Sequence, residues 1–167
     1  MTFSLYDASV PMFVRGLDSL SAILTKAAAS GLDEAALIEA RLAPDMKPLS
    51  AQIDMATFSA RGCVARLAGV EVPAIAGTDA TFAQMQARIA ASRAFILGVE
   101  RAAFDGAETR PVRLVFPGVD LSFDGAGYLT SFALPNFYFH VTTAYAILRH
   151  AGIELGKRDY LGQLALA

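Results

Sequence analysis

The chain has 167 residues, of which 54% are hydrophobic and 18% charged, with a formal net charge of −2. About 25% charged is usual for a soluble protein, so this sequence is apolar, although 32 alanines supply part of that as small, helix-favouring side chains. No Lys/Arg cluster exceeds a pair, which excludes phosphate neutralisation on the scale nucleic-acid binding needs. One cysteine, Cys63, excludes an internal disulfide and a cysteine-based zinc site.

The length fits one domain, spanning 1–167. The opening Met1-Thr2-Phe3-Ser4 has no basic, signal-like character, so a cytoplasmic protein is expected. The longest uncharged stretch runs from Gly125 to Leu148, 24 residues, long enough to test as a membrane span. Thr130, Ser131, Pro135, Asn136, His140, Thr142 and Thr143 interrupt it, and such positions suit lipid poorly. No membrane contact is expected.

In chain order, Val10, Phe13, Val14, Leu17, Leu20 and Leu24 recur at helical spacing and predict a helix over Ser9–Ala29. Ser9 is its expected cap, with Pro11 tolerated in the first turn and Gly31 ending the helix. Asp33 caps a short helix to about Ala40. Pro48 suits a first helical position, and Leu49, Ile53, Ala56, Ala60, Val64 and Leu67 give a second long stripe that stops at Gly69. Val70 to Gly77 reads as a crossover between helix pairs. Thr81-Phe82-Ala83-Gln84 has the capping-box pattern and opens a third helix striped by Phe82, Met85, Ile89, Ile96 and Val99. Arg88, Arg93 and Glu100 are expected on its wet side.

The period then changes to two. Pairing 116 with 119, 114 with 121 and 112 with 123 puts six apolar side chains on one face of a hairpin lying on the helices. Pro117-Gly118 does not favour the mirror-image turns, so a loop slightly longer than two residues is expected. The fourth long helix is expected from Ala126 to His150, with Gly152 after its end and an irregular tail beyond. The sum is an all-α four-helix bundle with a small β-hairpin between helices 3 and 4.

Chemistry has few places to sit. His140 and His150 are ten residues apart, about 15 Å along a helix, too far to share a metal. Asn136 and His140 are four apart and project from one helix face, the geometry a helix offers a metal. Histidine suits zinc or nickel, whereas an asparagine oxygen is a weak ligand. Ser50, Gln52 or Asp45 could add a third group. The same residues suit a buried polar cluster in which His140 and Asn136 hydrogen-bond each other, Gln52 or Tyr145. The aromatics Phe132, Phe137, Tyr138, Phe139 and Tyr145 suit a pocket or a core. Cys63 reads as a small buried hydrophobe rather than a nucleophile. Lys157-Arg158-Asp159 reads as a solvated loop or as a tail folded over the bundle end.

Leu5-Tyr6-Asp7, Leu42-Ala43-Pro44-Asp45-Met46, the run from Leu134-Pro135-Asn136-Phe137-Tyr138-Phe139-His140 to Tyr145, and Leu155-Gly156-Lys157-Arg158-Asp159-Tyr160 resemble the DUF1993 family, of the DinB/YfiT-like superfamily. The resemblance covers nearly the whole chain. It implies a four-helix bundle of DinB type, often a homodimer. It also implies a divalent metal held by one histidine on the second helix and a His-x-x-x-His pair on the last, with thiol-dependent transferases and isomerases among the relatives. This sequence departs from that pattern. The last-helix pair is Asn136 and His140, and the second helix offers only Gln52. The expectation is therefore a small-molecule pocket around His140, with Asn136, Gln52 and Tyr145 as ligand-binding residues. His140, Asn136 and Gln52 would form a degenerate metal site for zinc or nickel. A ligand-binding or dimeric module without metal is the alternative, and whether the chain is an enzyme stays open.

Overall fold

The computed structural model describes residues 4–163. The chain is mostly helical: α1 (Leu5–Ala28), α2 (Glu34–Glu39), α3 (Leu49–Ala68), α4 (Phe82–Gly98), α5 (Gly125–Gly127), α6 (Leu134–His150) and α7 (Lys157–Leu161), with strands β1 (Val112–Phe116) and β2 (Val119–Phe123). Among the described residues, no helix is long and apolar enough to cross a membrane. The helix α1 packs on α4 and α6, and α3 packs on the same two. Between them Phe13, Leu17, Leu20, Ile53, Leu67, Met85, Ile89 and Phe137 are fully buried and form the centre of the core.

The helix α1 starts four residues before the Ser9 expected from its stripe. Ser4 is the cap, and its backbone N–H donates to the Asp7 carboxylate in a reciprocal capping box. Arg101 clamps Asp7 from 94 residues along the chain, a contact no local pattern contains. Ser9 is instead buried and donates to the Leu5 carbonyl at 2.5 Å. In α3, Pro48 takes the cap position and Gly69 ends the helix at φ +71°. Thr81 caps α4 by accepting from the Gln84 N–H, but Gln84 returns its bond to Ala80 rather than to Thr81.

Arg88 does not sit on a wet face. It is 7% exposed, bonded to Asp79 at 2.8 Å and to the carbonyls of Ile75 and Gly77. It ties the crossover segment down onto α4. Arg61 does the same from α3, donating to the Pro73 carbonyl at 2.6 Å. Asp79 holds φ 50°, a left-handed conformation that Asp tolerates better than most residues. Long polar side chains therefore bury themselves here because loop carbonyls need donors.

The hairpin has the expected register, with 112 opposite 123, 114 opposite 121 and 116 opposite 119. The loop is two residues, not longer, because Gly118 takes φ +77° and closes the turn. Only the base of the apolar face reaches the helices. Val112 and Leu114 are buried, whereas Phe116 beside the turn and Leu121, opposite Leu114, are exposed.

The last long helical run differs from the simple helix expected. Between α5 and α6, residues Tyr128–Ala133 form a π-helix. Pro135 explains its position: it lacks an N–H and its ring crowds the carbonyl four residues back, so a wider turn before it relieves both. Thr130 and Ser131 donate to the carbonyls of Ala126 and Gly127, supplying local bonds in the disturbed turn. The described part of the tail is not wholly irregular, since Lys157–Leu161 form a short helix, and the residues after 163 lie outside the described residues. Asp159 accepts from the Gly156 N–H and pairs with Lys26 at 2.8 Å, which fixes α7 against α1.

Candidate functional site

His140 lies in the middle of α6, facing α3, and is 8% exposed. Its Nδ1 is 2.8 Å from Gln52 Oε1, and Gln52 Nε2 donates to the Lys47 carbonyl at 3.0 Å. This chain assigns the protons. A backbone carbonyl can only accept, so the Gln52 amide must present Nε2 to Lys47 and Oε1 to His140. Oε1 also only accepts, so the imidazole carries its proton on Nδ1. Burial pushes the His140 pKa below its ordinary 6.5, which keeps the ring neutral at pH 7. In that form Nε2 holds a free lone pair. It makes no hydrogen bond among the described residues, and it is not one of the sealed buried atoms left without a partner. Phe139 meets the ring edge-on at 5.3 Å.

Asn136 sits one turn earlier on the same face. It does not bond His140; its Nδ2 donates to Ser59 Oγ at 2.7 Å. Gln52 and Ser59 are seven residues apart on α3, two helical turns, so each meets one polar residue of α6 across the interface. Tyr145 lies elsewhere. Five residues on from His140, it is rotated about 140° round the helix and packs edge-on against Tyr160 at 5.8 Å. Of the four residues expected to share a site, the structure thus joins His140 to Gln52, sets Asn136 beside Ser59, and places Tyr145 under the tail.

The donor set does not fit a resident divalent metal. Gln52 uses both ends of its amide on Lys47 and His140. Asn136 turns its amide N–H to Ser59. That leaves one neutral imidazole nitrogen and the Asn136 amide oxygen, a weak and uncharged ligand, and no group of three or more His, Cys, Asp or Glu converges among the described residues. Ser50 lies with Asp54, Asp79 and Arg88 instead. Cys63 is fully buried, and burial holds its thiol well above the ordinary range, so it is a core residue and not a nucleophile.

A cavity of about 550 Å³ opens beside Asn136, between α3, β1, the π-helix and the start of α6. Phe58, Phe116 and Phe132 form walls, and Arg66, Tyr128 and Asn136 bring polar groups to it. Tyr128 and Phe132 extend the helix row of Asn136 and His140 in the sequence, whereas Arg66 does not stand out as a site residue. The hairpin that closes over Arg66 is distant in the chain, and the glycine at 62 carries no side chain.

Comparison with known proteins agrees with the architecture. The family model described as "Domain of unknown function (DUF1993)" matches residues 5–161. No curated protein matches. A crystal structure of a DinB family member protein from Shewanella denitrificans is 38% identical, covers 98% of this chain and 94% of its own, and superposes with a TM-score of 0.86. The chain belongs to the DUF1993 family and has the fold of a DinB family member.

Proposed function

We propose that this four-helix-bundle protein binds a small organic molecule through neutral His140, whose Nε2 accepts a hydrogen bond from it, and that the site works without a resident metal. The observation that carries the reading is the relay from the Lys47 carbonyl through Gln52 to His140 Nδ1. A glutamine held this way orients an imidazole and raises its basicity at the opposite nitrogen. It leaves the remaining lone pair aimed away from α3 and ready to accept. Asn136, one turn away, shares the face and lies in the wall of the neighbouring cavity.

Long-range proton–nitrogen NMR at pH 7 tests the first half: the expected pattern is a neutral ring protonated on Nδ1. A one-to-one change of the His140 signals on adding zinc or nickel chloride overturns the reading in favour of a metal centre. A fragment screen by ligand-observed NMR tests the second half. Ligands that bind wild type, fail on His140→Ala and ignore EDTA support it. Binding that EDTA abolishes, or a screen in which no bound fragment depends on His140, contradicts it.

A further inference from the structure

The cavity beside Asn136 carries an independent argument, on residues other than His140, and stands or fails separately from the reading above. Its cation is Arg66, in the last turn of α3. The ion pairs among the described residues use Lys26, Arg88, Arg93, Arg101 and Arg113, and Arg66 is in none of them. Arg113, also in the wall, is neutralised by Asp120 at 2.6 Å. The cavity therefore presents one positive charge without a carboxylate.

The guanidinium is held in place by what is missing on α3. A Cβ at Gly62, one turn earlier, would collide with Arg66 Nη1. A glycine in a helix interior costs about 0.5–1 kcal/mol relative to alanine, and here it leaves the space that the arginine head occupies. Arg66 Nη1 donates to the Tyr128 hydroxyl at 3.4 Å. Burial pushes the Tyr128 pKa up to about 12, so the phenol stays protonated. Its oxygen accepts from Arg66, and its hydrogen is free to donate onward.

A planar guanidinium and a phenol side by side suit a carboxylate, which can take both donors. One unpaired cation suits a monoanion better than a phosphate dianion. The rest of the wall is Phe58, Leu114, Phe116 and Phe132, and the volume lies in the range of small-ligand pockets, about 300–1,000 Å³. We propose that this cavity is a binding site for a small organic carboxylate with an aromatic or aliphatic body, the acid group on Arg66 and Tyr128 and the body against Phe58, Phe116 and Phe132.

Calorimetry with 3-phenylpropionate tests it, with 3-phenylpropionamide as the neutral counterpart. The carboxylate is expected to bind at least tenfold more tightly than the amide. Arg66→Gln should remove that preference. Gly62→Ala is the second variant, because alanine favours the helix and the arginine head can swing away, so the protein should fold as well as wild type yet lose the carboxylate. Equal binding of acid and amide, binding unaffected by Arg66→Gln, or no binding of either by the wild type overturns the proposal. So does sedimentation showing a dimer that Phe116→Asp disperses while no carboxylate binds, since a second copy would then fill the hairpin side.

Discussion

Gly16, in the middle of α1, makes a quantitative test of the packing. A Cβ there would stand 2.5 Å from Phe137 Cε1 and 2.6 Å from its Cζ. Ordinary carbon contacts begin near 3.5 Å, so the ring would have to retreat by about 1 Å. Phe137 has nowhere to go: it is fully buried and stands edge-on to Phe13 at 5.0 Å. Overpacking of this kind costs about 1–3 kcal/mol. Against it, replacing a helix-interior glycine by alanine returns about 1 kcal/mol. The balance is about 0–2 kcal/mol, so Gly16→Ala should gain nothing from its better helix propensity and lose up to about 2 kcal/mol in urea unfolding followed by circular dichroism, lowering Tm by up to roughly 8 °C. The double variant separates the two effects. In a Phe137→Leu background the smaller side chain leaves room for the new methyl, so the same substitution should be neutral or stabilising. A Gly16→Ala protein more stable than wild type, or one affected equally in both backgrounds, refutes the argument that α1 and α6 meet through this ring.

Asp79→Asn should cost about 2 kcal/mol by denaturant unfolding, because it removes the more buried of the two carboxylates that face Arg88; an unchanged midpoint would mean that Asp54 and the loop carbonyls suffice. Ser4→Ala removes the side-chain half of the α1 capping box and should cost about 1 kcal/mol in the same assay. His140 is held neutral with its pKa below 6.5, so the unfolded chain binds more protons just below that pH. Its contribution is fully present above pH 6.5 and is lost as pH falls through the folded value; His140→Gln should flatten that part of the stability profile, and an identical profile in both proteins counts against the burial argument. Asp7 acts in a lower window. Arg101 holds its carboxyl well below the ordinary 3.8, so its contribution is present above that pH and lost on further acidification. Arg101→Gln should bring acid unfolding to a higher pH, read by circular dichroism.

Local pattern served best where one element answers to its own sequence. The stripe of Leu49, Ile53, Ala56, Ala60, Val64 and Leu67 lies in the core, and the hairpin register follows from its period of two. The pattern failed where a distant residue decides. The start of α1 depends on the Ser4–Asp7 box clamped by Arg101, nearly a hundred residues away. Arg88 reads as a surface residue until loop carbonyls and Asp79 close over it. The hairpin tip reads as buried because alternation fixes which side chains share a face, but not how far the face extends beyond the helices.

The same division holds for the site. The polar face of Asn136 and His140 is legible from spacing, because side chains four apart on a helix must share a face, with Gln52 the nearest polar candidate on the second helix, whereas the family rests on the resemblance of whole sequence runs. Which atoms meet is not. Spacing leaves open whether Asn136 turns to His140 or to Ser59, and whether Gln52 serves as a ligand or as a prop. It cannot see that Gly62 makes room for Arg66. Those choices depend on the rotation of α3 against α6 and on the hairpin closing over them, and rotation between packed helices is set by many side chains at once. The apolar excess of the chain was determined by composition alone. That it surrounds an oriented imidazole and a cavity arginine without a carboxylate partner among the described residues was decided only when the helices packed.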